Sequence, residues 1–291
     1  MSHNKHVEDG FNVDVGMMQP DEAKNYYLDL AGDWEDPNPA PRIVMHEGIR
    51  VVRDDDLVGS KVRGGDCLMS SIKEDTIVYV QPRTGLAGLS ILDVAKRHNK
   101  SVKLFMPSSK IISHHQACCI ERGAETSFHR IAAMPNLNLI AKKWASENSN
   151  TFFIPLGLKH KLVTAGMVKV ASKIKEPDVV YVATSTGVLT RSLQIAWPNA
   201  EFVSVAVSRN MKAGELGRAQ VISEKKAFMA SESKENLPPF PNIATYDGKV
   251  WKFIPKHSDK DILFWNVGKE PVLTDETLYE TDSYREWDKN L

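Results

Sequence analysis

The chain has 291 residues, 42% of them hydrophobic, and its 37 basic side chains are matched by 37 acidic ones for a formal net charge of zero. That length exceeds what a single small core requires and predicts two lobes with a cleft between them. A zero net charge removes the global field that recruits polyanions. The longest apolar runs, around Ile77 and Val179, are of strand length, well short of a membrane span.

Residues 1–45 are polar, with Asp/Glu clusters and the run Pro37-Asn38-Pro39-Ala40-Pro41, and predict an extended or loosely packed arm. The opening residues from Met1 to His6 hold no apolar signal region, so the expected compartment is the cytoplasm. After the arm, Asp54-Asp55-Asp56 leads to Gly59-Ser60-Lys61-Val62-Arg63, which sets Lys61 directly after a Gly-Ser turn at the start of a helix. A lysine so placed is a candidate covalent anchor for a cofactor, where an ordinary lysine would be a solvated side chain in the first turn.

From Asp75 the pattern is that of a layered α/β fold. Thr76 to Gln81 is a β-branched run of strand length stopped by Pro82, and Thr84-Gly85-Leu86-Ala87-Gly88 opens a helix whose apolar positions reach toward Ala95. Ser101 to Met106 predicts a second buried strand, closed by Pro107-Ser108-Ser109, where a serine can cap the next helix. That helix should end at Arg122-Gly123, with a short strand over 124–128. It carries His114, His115, Cys118 and Cys119, four potential metal ligands in six residues. Consecutive helical residues point about 100° apart, so these four cannot converge on one ion, and no metal site is expected. With Cys67, the two cysteines make three, too few for a disulfide framework.

Further on, Pro177 to Ala183 predicts a buried strand that empties into Thr184-Ser185-Thr186-Gly187 and another helix. A hydroxyl-rich glycine turn at a helix N-terminus offers N–H groups and the positive end of the helix dipole to an anion, which is how a phosphate is held. Neither a Gly-x-Gly-x-x-Gly fingerprint nor a Gly-Lys-Ser/Thr phosphate loop is present, which argues against a nucleotide-binding α/β protein. Ser223 to Asn236 is charged and serine-rich and predicts a solvated loop or helix, and Asp282 to Leu291 a frayed polar terminus.

Four of these motifs, in this order, resemble the pyridoxal-phosphate enzymes of fold type II, the tryptophan synthase β, cysteine synthase and aminocyclopropane-carboxylate deaminase superfamily. They are Asp54-Asp55-Asp56 with Gly59-Ser60-Lys61-Val62-Arg63, Thr84-Gly85-Leu86-Ala87-Gly88, Phe105-Met106-Pro107 and Gly123-Ala124-Glu125. The resemblance covers roughly residues 45–207. It implies an α/β fold of two lobes, layered sheets with helices on both faces, over 46–291. The smaller lobe, near 85–150, would be inserted in the larger, and the C-terminal part is shortened.

The resemblance also implies a site. Lys61 would hold pyridoxal 5′-phosphate as a Schiff base and serve as the proton-transferring amine, kept neutral by desolvation and by cations such as Arg63. The turn of Thr184, Ser185, Thr186 and Gly187 would grip the cofactor phosphate. Thr84, Gly85 and Gly88 would bind the substrate carboxylate, with Arg83 an added candidate outside the family pattern. Leu86 stands where the family has asparagine, which removes one polar contact.

The implied function is a lyase acting at Cα or Cβ of a small amino acid, by β-elimination, β-replacement or deamination; family members also include racemases. One alternative is decarboxylation or elimination on an amino acid attached to a nucleobase in phage DNA, in the host cytoplasm, with nucleic acid only as substrate. Another is a non-catalytic pyridoxal-phosphate-binding protein. A homodimer without membrane contact is the implied assembly.

Overall fold

The computed structural model describes residues 19–130, 133–209, 211 and 216–280. In chain order the elements are α1 (Pro20–Ala31), β1 (Ile43–His46), β2 (Ile49–Arg53), α2 (Lys61–Met69), β3 (Thr76–Val80), α3 (Ala87–Arg97), β4 (Ser101–Pro107) and α4 (His114–Glu121). The chain continues through β5 (Glu125–His129), α5 (Met134–Glu147), β6 (Thr151–Ile154), α6 (Lys161–Ala171), β7 (Val179–Thr184), α7 (Val188–Ala196), β8 (Glu201–Ala206), β9 (Gln220–Ser223) and β10 (Ile262–Asn266). It divides into two units. The first takes the described residues up to Cys67 together with Lys159–Glu270, and the second takes Leu68–Leu158 with the described residues from Pro271 onward.

The first unit is built on a six-stranded sheet in the order β1-β2-β10-β7-β8-β9. Only β1 and β2 pair antiparallel; β2, β10, β7, β8 and β9 run parallel, with Phe264 beside Val51 and Tyr181 and with Thr184 beside Ala206. All six residues of β7 and all five of β10 are buried, as parallel strands covered on both faces require. One core, around Tyr27, Val168, Val180, Trp197 and Trp265, lies under α1, α6 and α7. The other, around Phe240, Val250, Trp251 and Phe264, lies on the irregular C-terminal segment. No α-helix comes after β8 among the described residues, so the shortened C-terminal part consists of short strands and single 3₁₀ turns.

Two expectations for this unit change. Part of the described arm is not extended, because Pro20–Ala31 is a helix that buries Ala23, Tyr27 and Ala31 in the core. Pro20 at its first position and the pairing of Gln19 with Glu22 start it, signals that the surrounding polar composition obscures. Residues 1–18 and the predicted frayed end, 282–291, lie outside the described residues. Nor is Ser223–Asn236 merely solvated: Glu232 is 5% exposed and accepts hydrogen bonds from Lys226, Lys252 and Ser233, which together hold its carboxyl well below the ordinary range despite burial.

The second unit is a four-stranded parallel sheet, β5-β4-β3-β6, with Val78, Val80 and Phe105 packed against Leu137, Ala141 and Ala145 of α5. Strands β3, β4 and β5 match the runs read from the sequence within a residue at each end, while β6 has no counterpart in that reading. The helix cap does not. Ser109 bonds the Ile111 carbonyl, α4 starts only at His114, and its cap is Ser113, boxed with Gln116. Among the described residues no group of three His, Cys, Asp or Glu side chains is placed to hold a metal ion, and no helix is long and apolar enough to cross a membrane.

Candidate active site

Lys61 is the first residue of α2, as its position after Gly59-Ser60 predicts. Gly59 takes φ 146°, in the region that favours glycine, and turns the chain out of the Asp54–Asp56 3₁₀ turn. The buried Ser60 then donates its N–H to the Val267 carbonyl at 2.8 Å, tying the start of α2 to the end of β10. Close packing fixes the helix from behind. A Cβ on Gly64 would lie 2.3 Å from the Val163 carbonyl of α6, and one on Gly166 of α6 would lie 2.7 Å from the Cys67 Cβ.

The Lys61 side chain opens on a small pocket whose walls include Thr184, Thr186, Gly187, Tyr246 and Val267, with about 270 Å³ of empty space reaching solvent. Every one of these residues belongs to the first unit, at the C-terminal ends of parallel strands β7 and β10 and the segment before β10, where open α/β sheets place ligands. Burial of the amine is what pushes the Lys61 pKa down. Arg63 has no part in it: its guanidinium is spent on Asp54, at 2.8 and 3.1 Å, and on Asp36 at 2.6 Å, with the Pro39 carbonyl as a further acceptor. Its role is to lock the approach to Lys61, together with the Trp265 indole N–H on Asp54.

At the far wall, β7 empties into the turn and α7 begins at Val188. Gly187 sits in the left-handed region at φ 84°, with Leu216 Cδ2 2.8 Å from where a Cβ would be. The first turn of α7 thus points N–H groups without intrahelical partners at the pocket that holds Lys61. The three hydroxyls of the turn do not act alike. Thr184 turns inward to a buried cluster with Thr190, at 2.5 Å, and Ser204, so it braces the turn. The Ser185 hydroxyl accepts from Ser208 at 2.9 Å, and Thr186 faces the pocket.

Three residues of the site are invisible to local sequence reading. Tyr246 closes a wall of the pocket, accepts the Ser185 N–H and donates to the Ala183 carbonyl at 3.4 Å; burial pushes its phenol well up. Val267 forms another wall. Asp247, wholly buried, accepts the N–H of Ile243 at 2.7 Å and of Val267 at 2.9 Å, and burial raises its carboxyl to about 7.

The remaining sequence candidates, Thr84, Gly85, Gly88 and Arg83, lie in the second unit, at the turn from β3 to α3. There the buried Gln81 side chain accepts the Gly88 N–H at 2.9 Å and donates to the Pro82 and Gly85 carbonyls. The Gly88 amide is therefore already satisfied. Arg83 reaches the Ile111 carbonyl at 3.3 Å, and the buried Leu86 fills the position where a polar side chain was expected.

No known protein-family profile matches the chain, and no curated protein sequence matches it. Solved structures do. The chain is similar to an "ACC deaminase homologue", with TM-score 0.67 and 17% identity over 94% of this chain and 100% of that one. It is also similar to the processed form of threonine deaminase isoform 2 from Solanum lycopersicum, with TM-score 0.66 and 12% identity over 90% and 92% of the two chains. A third is a pyridoxal 5′-phosphate-dependent aspartate racemase, with TM-score 0.59 and 11% identity over 86% and 97%. The fold is fold type II. The resemblance carried by four short motifs therefore extends over nine-tenths of the chain, well beyond residue 207, where the sequence pattern fades.

Proposed function

We propose that the protein is a pyridoxal-phosphate-dependent enzyme acting on an amino acid or amino-acid-derived substrate, with Lys61 as the residue that holds the cofactor. The observation that carries this reading is that a desolvated amine and the N-terminus of α7 open on one pocket. The two groups suit the two ends of the cofactor: an uncharged amine is required to bond its aldehyde carbon, and the helix N-terminus with Gly187 suits its phosphate. When bound, pyridoxal phosphate supplies an electron sink for breaking a bond at the substrate Cα. The chain's own residues do the rest. Thr186 and the α7 amides hold the anion, Thr184 braces their turn, Tyr246 and Val267 wall off water, and the Lys61 amine takes or returns a proton at the substrate Cα.

Lyase chemistry of the elimination or deamination type is the reaction we favour, as two of the similar structures are a deaminase and a deaminase homologue. Racemisation, the activity of the third, shares the same first step, proton removal at Cα, so the subtype turns on the second step. Thr84, Gly85 and Gly88 with Arg83 are proposed as the group that receives the substrate carboxylate. Gly88 then acts through its small size, since its N–H is held by Gln81.

The visible absorption spectrum of purified protein beside Lys61→Ala, with and without added pyridoxal phosphate, tests the reading. A visible band in the parent that is missing in the variant supports it. A parent with no band after the cofactor is added overturns it.

A further inference from the structure

Asp247 is the one wholly buried carboxylate beside the pocket that no cation neutralises among its described partners, and its two oxygens are spent on backbone. Oδ1 accepts from Ile243 N and Oδ2 from Val267 N, at 2.7 and 2.9 Å. The Val267 carbonyl in turn accepts from Ser60 N at 2.8 Å, and Ser60 precedes Lys61. Tyr246, the pocket wall on the other side, is the residue before Asp247, and its N–H and that of Gly248 return to the Ile243 carbonyl at 2.8 and 3.0 Å. One carboxylate thus ties together three walls of the pocket, Tyr246, Val267 and the Lys61 turn, the last of which lies about two hundred residues from the other two in sequence. An arrangement that needs two acceptor oxygens on one planar group explains why an acid is tolerated where a neutral side chain would cost less to bury.

We propose that Asp247 is a positioning residue for the Lys61 amine, acting through Val267 and Ser60 to hold that amine in its desolvated place. The proposal deepens the reading of Lys61 as the cofactor-holding residue, but its test needs no cofactor. The amide of Asp247→Asn offers one acceptor where two are used, so the Val267 or Ile243 N–H loses its partner and the Lys61 turn loosens into water.

The experiment is competitive acetylation of the full chain by acetic anhydride across pH, after hydroxylamine has removed any bound cofactor, with the other lysines as internal standards read by mass spectrometry. In a folded Asp247→Asn variant the Lys61 midpoint should rise by about one pH unit or more toward the ordinary lysine value, and its reactivity at neutral pH should fall about tenfold. Removal of a negative charge alone would move the midpoint the other way, and a purely structural acid would leave it in place. Either of those results overturns the proposal. Should the variant fail to fold, amide hydrogen exchange on the parent decides. Ser60 and Val267 should be protected and open together, and a Ser60 amide exchanging at the unprotected rate beside a protected Val267 overturns the relay. A shifted Lys61 midpoint in a protein that shows no visible band with pyridoxal phosphate would retire the cofactor reading and keep Asp247 in its role.

Discussion

The two glycine turns that open α3 and α7 look alike in sequence, each a strand running into Thr, Gly and a helix, but they differ in what they leave free. At α3 the buried Gln81 side chain takes the Gly88 N–H and binds two carbonyls of the turn, so the turn is satisfied from within. At α7 the bracing comes from hydroxyls behind the turn, Thr184 with Thr190 and Ser204, while Gly187 and the helix amides face a pocket. The first-turn amides of α7 are thus open to an anion, whereas at α3 the Gly88 amide is taken and only Thr84, Gly85 and Arg83 are left to meet one.

Substitutions at the two turns break the comparison if it is wrong. Gly187→Val combines a residue that rarely adopts φ 84° with a contact at 2.8 Å to Leu216, and should weaken pyridoxal-phosphate binding by about a hundredfold, consistent with the 1–3 kcal/mol or so stored in such a backbone. Spectroscopic titration with the cofactor measures it. Gln81→Leu strands the Gly88 amide and two carbonyls, and chemical denaturation should show a loss of about 1–3 kcal/mol with cofactor binding at Lys61 unchanged. Equal damage to binding by both variants would erase the distinction.

The Lys61 turn and the α7 turn are legible in the sequence because each is local: a Gly-Ser-Lys step before a helix, and a strand of six buried residues emptying into hydroxyls and glycine. What is not legible depends on pairing across the chain. Residue spacing gives no sign that β10 slots between β2 and β7, and without that placement Val267, Tyr246 and Asp247 have no address. Arg63, two residues from Lys61, has the position of a cation acting on that amine. On a helix that spacing sends the two side chains to different faces, and Arg63 meets Asp54 and Asp36 instead. The α1 helix is masked by acidic and polar residues that cover its exposed face, and its fully buried positions are Ala23, Tyr27 and Ala31.

Asp247 sharpens the contrast through pH. Burial raises it from 3.8 to about 7, so the folded chain keeps a proton that the unfolded chain has released. The stability this group contributes is full below 3.8 and lost as pH rises through about 7. Tyr246 is its titratable neighbour and stays neutral throughout, since burial and Asp247 push its phenol up. The unfolding free energy of the parent should therefore fall, relative to Asp247→Asn, between about pH 4 and pH 7, and parallel curves would refute the assignment. The smallest effect belongs to Tyr246→Phe. It removes a long 3.4 Å hydrogen bond and frees the Ser185 N–H for the pocket, at a cost of about 1 kcal/mol or less by denaturation.

The most direct test of Lys61 as the cofactor-holding residue is peptide mapping by mass spectrometry after borohydride reduction of the protein mixed with pyridoxal phosphate. The account predicts one modified peptide, carrying the phosphopyridoxyl mass on Lys61. A modification spread over surface lysines, or fixed on another buried amine such as Lys249, would contradict it.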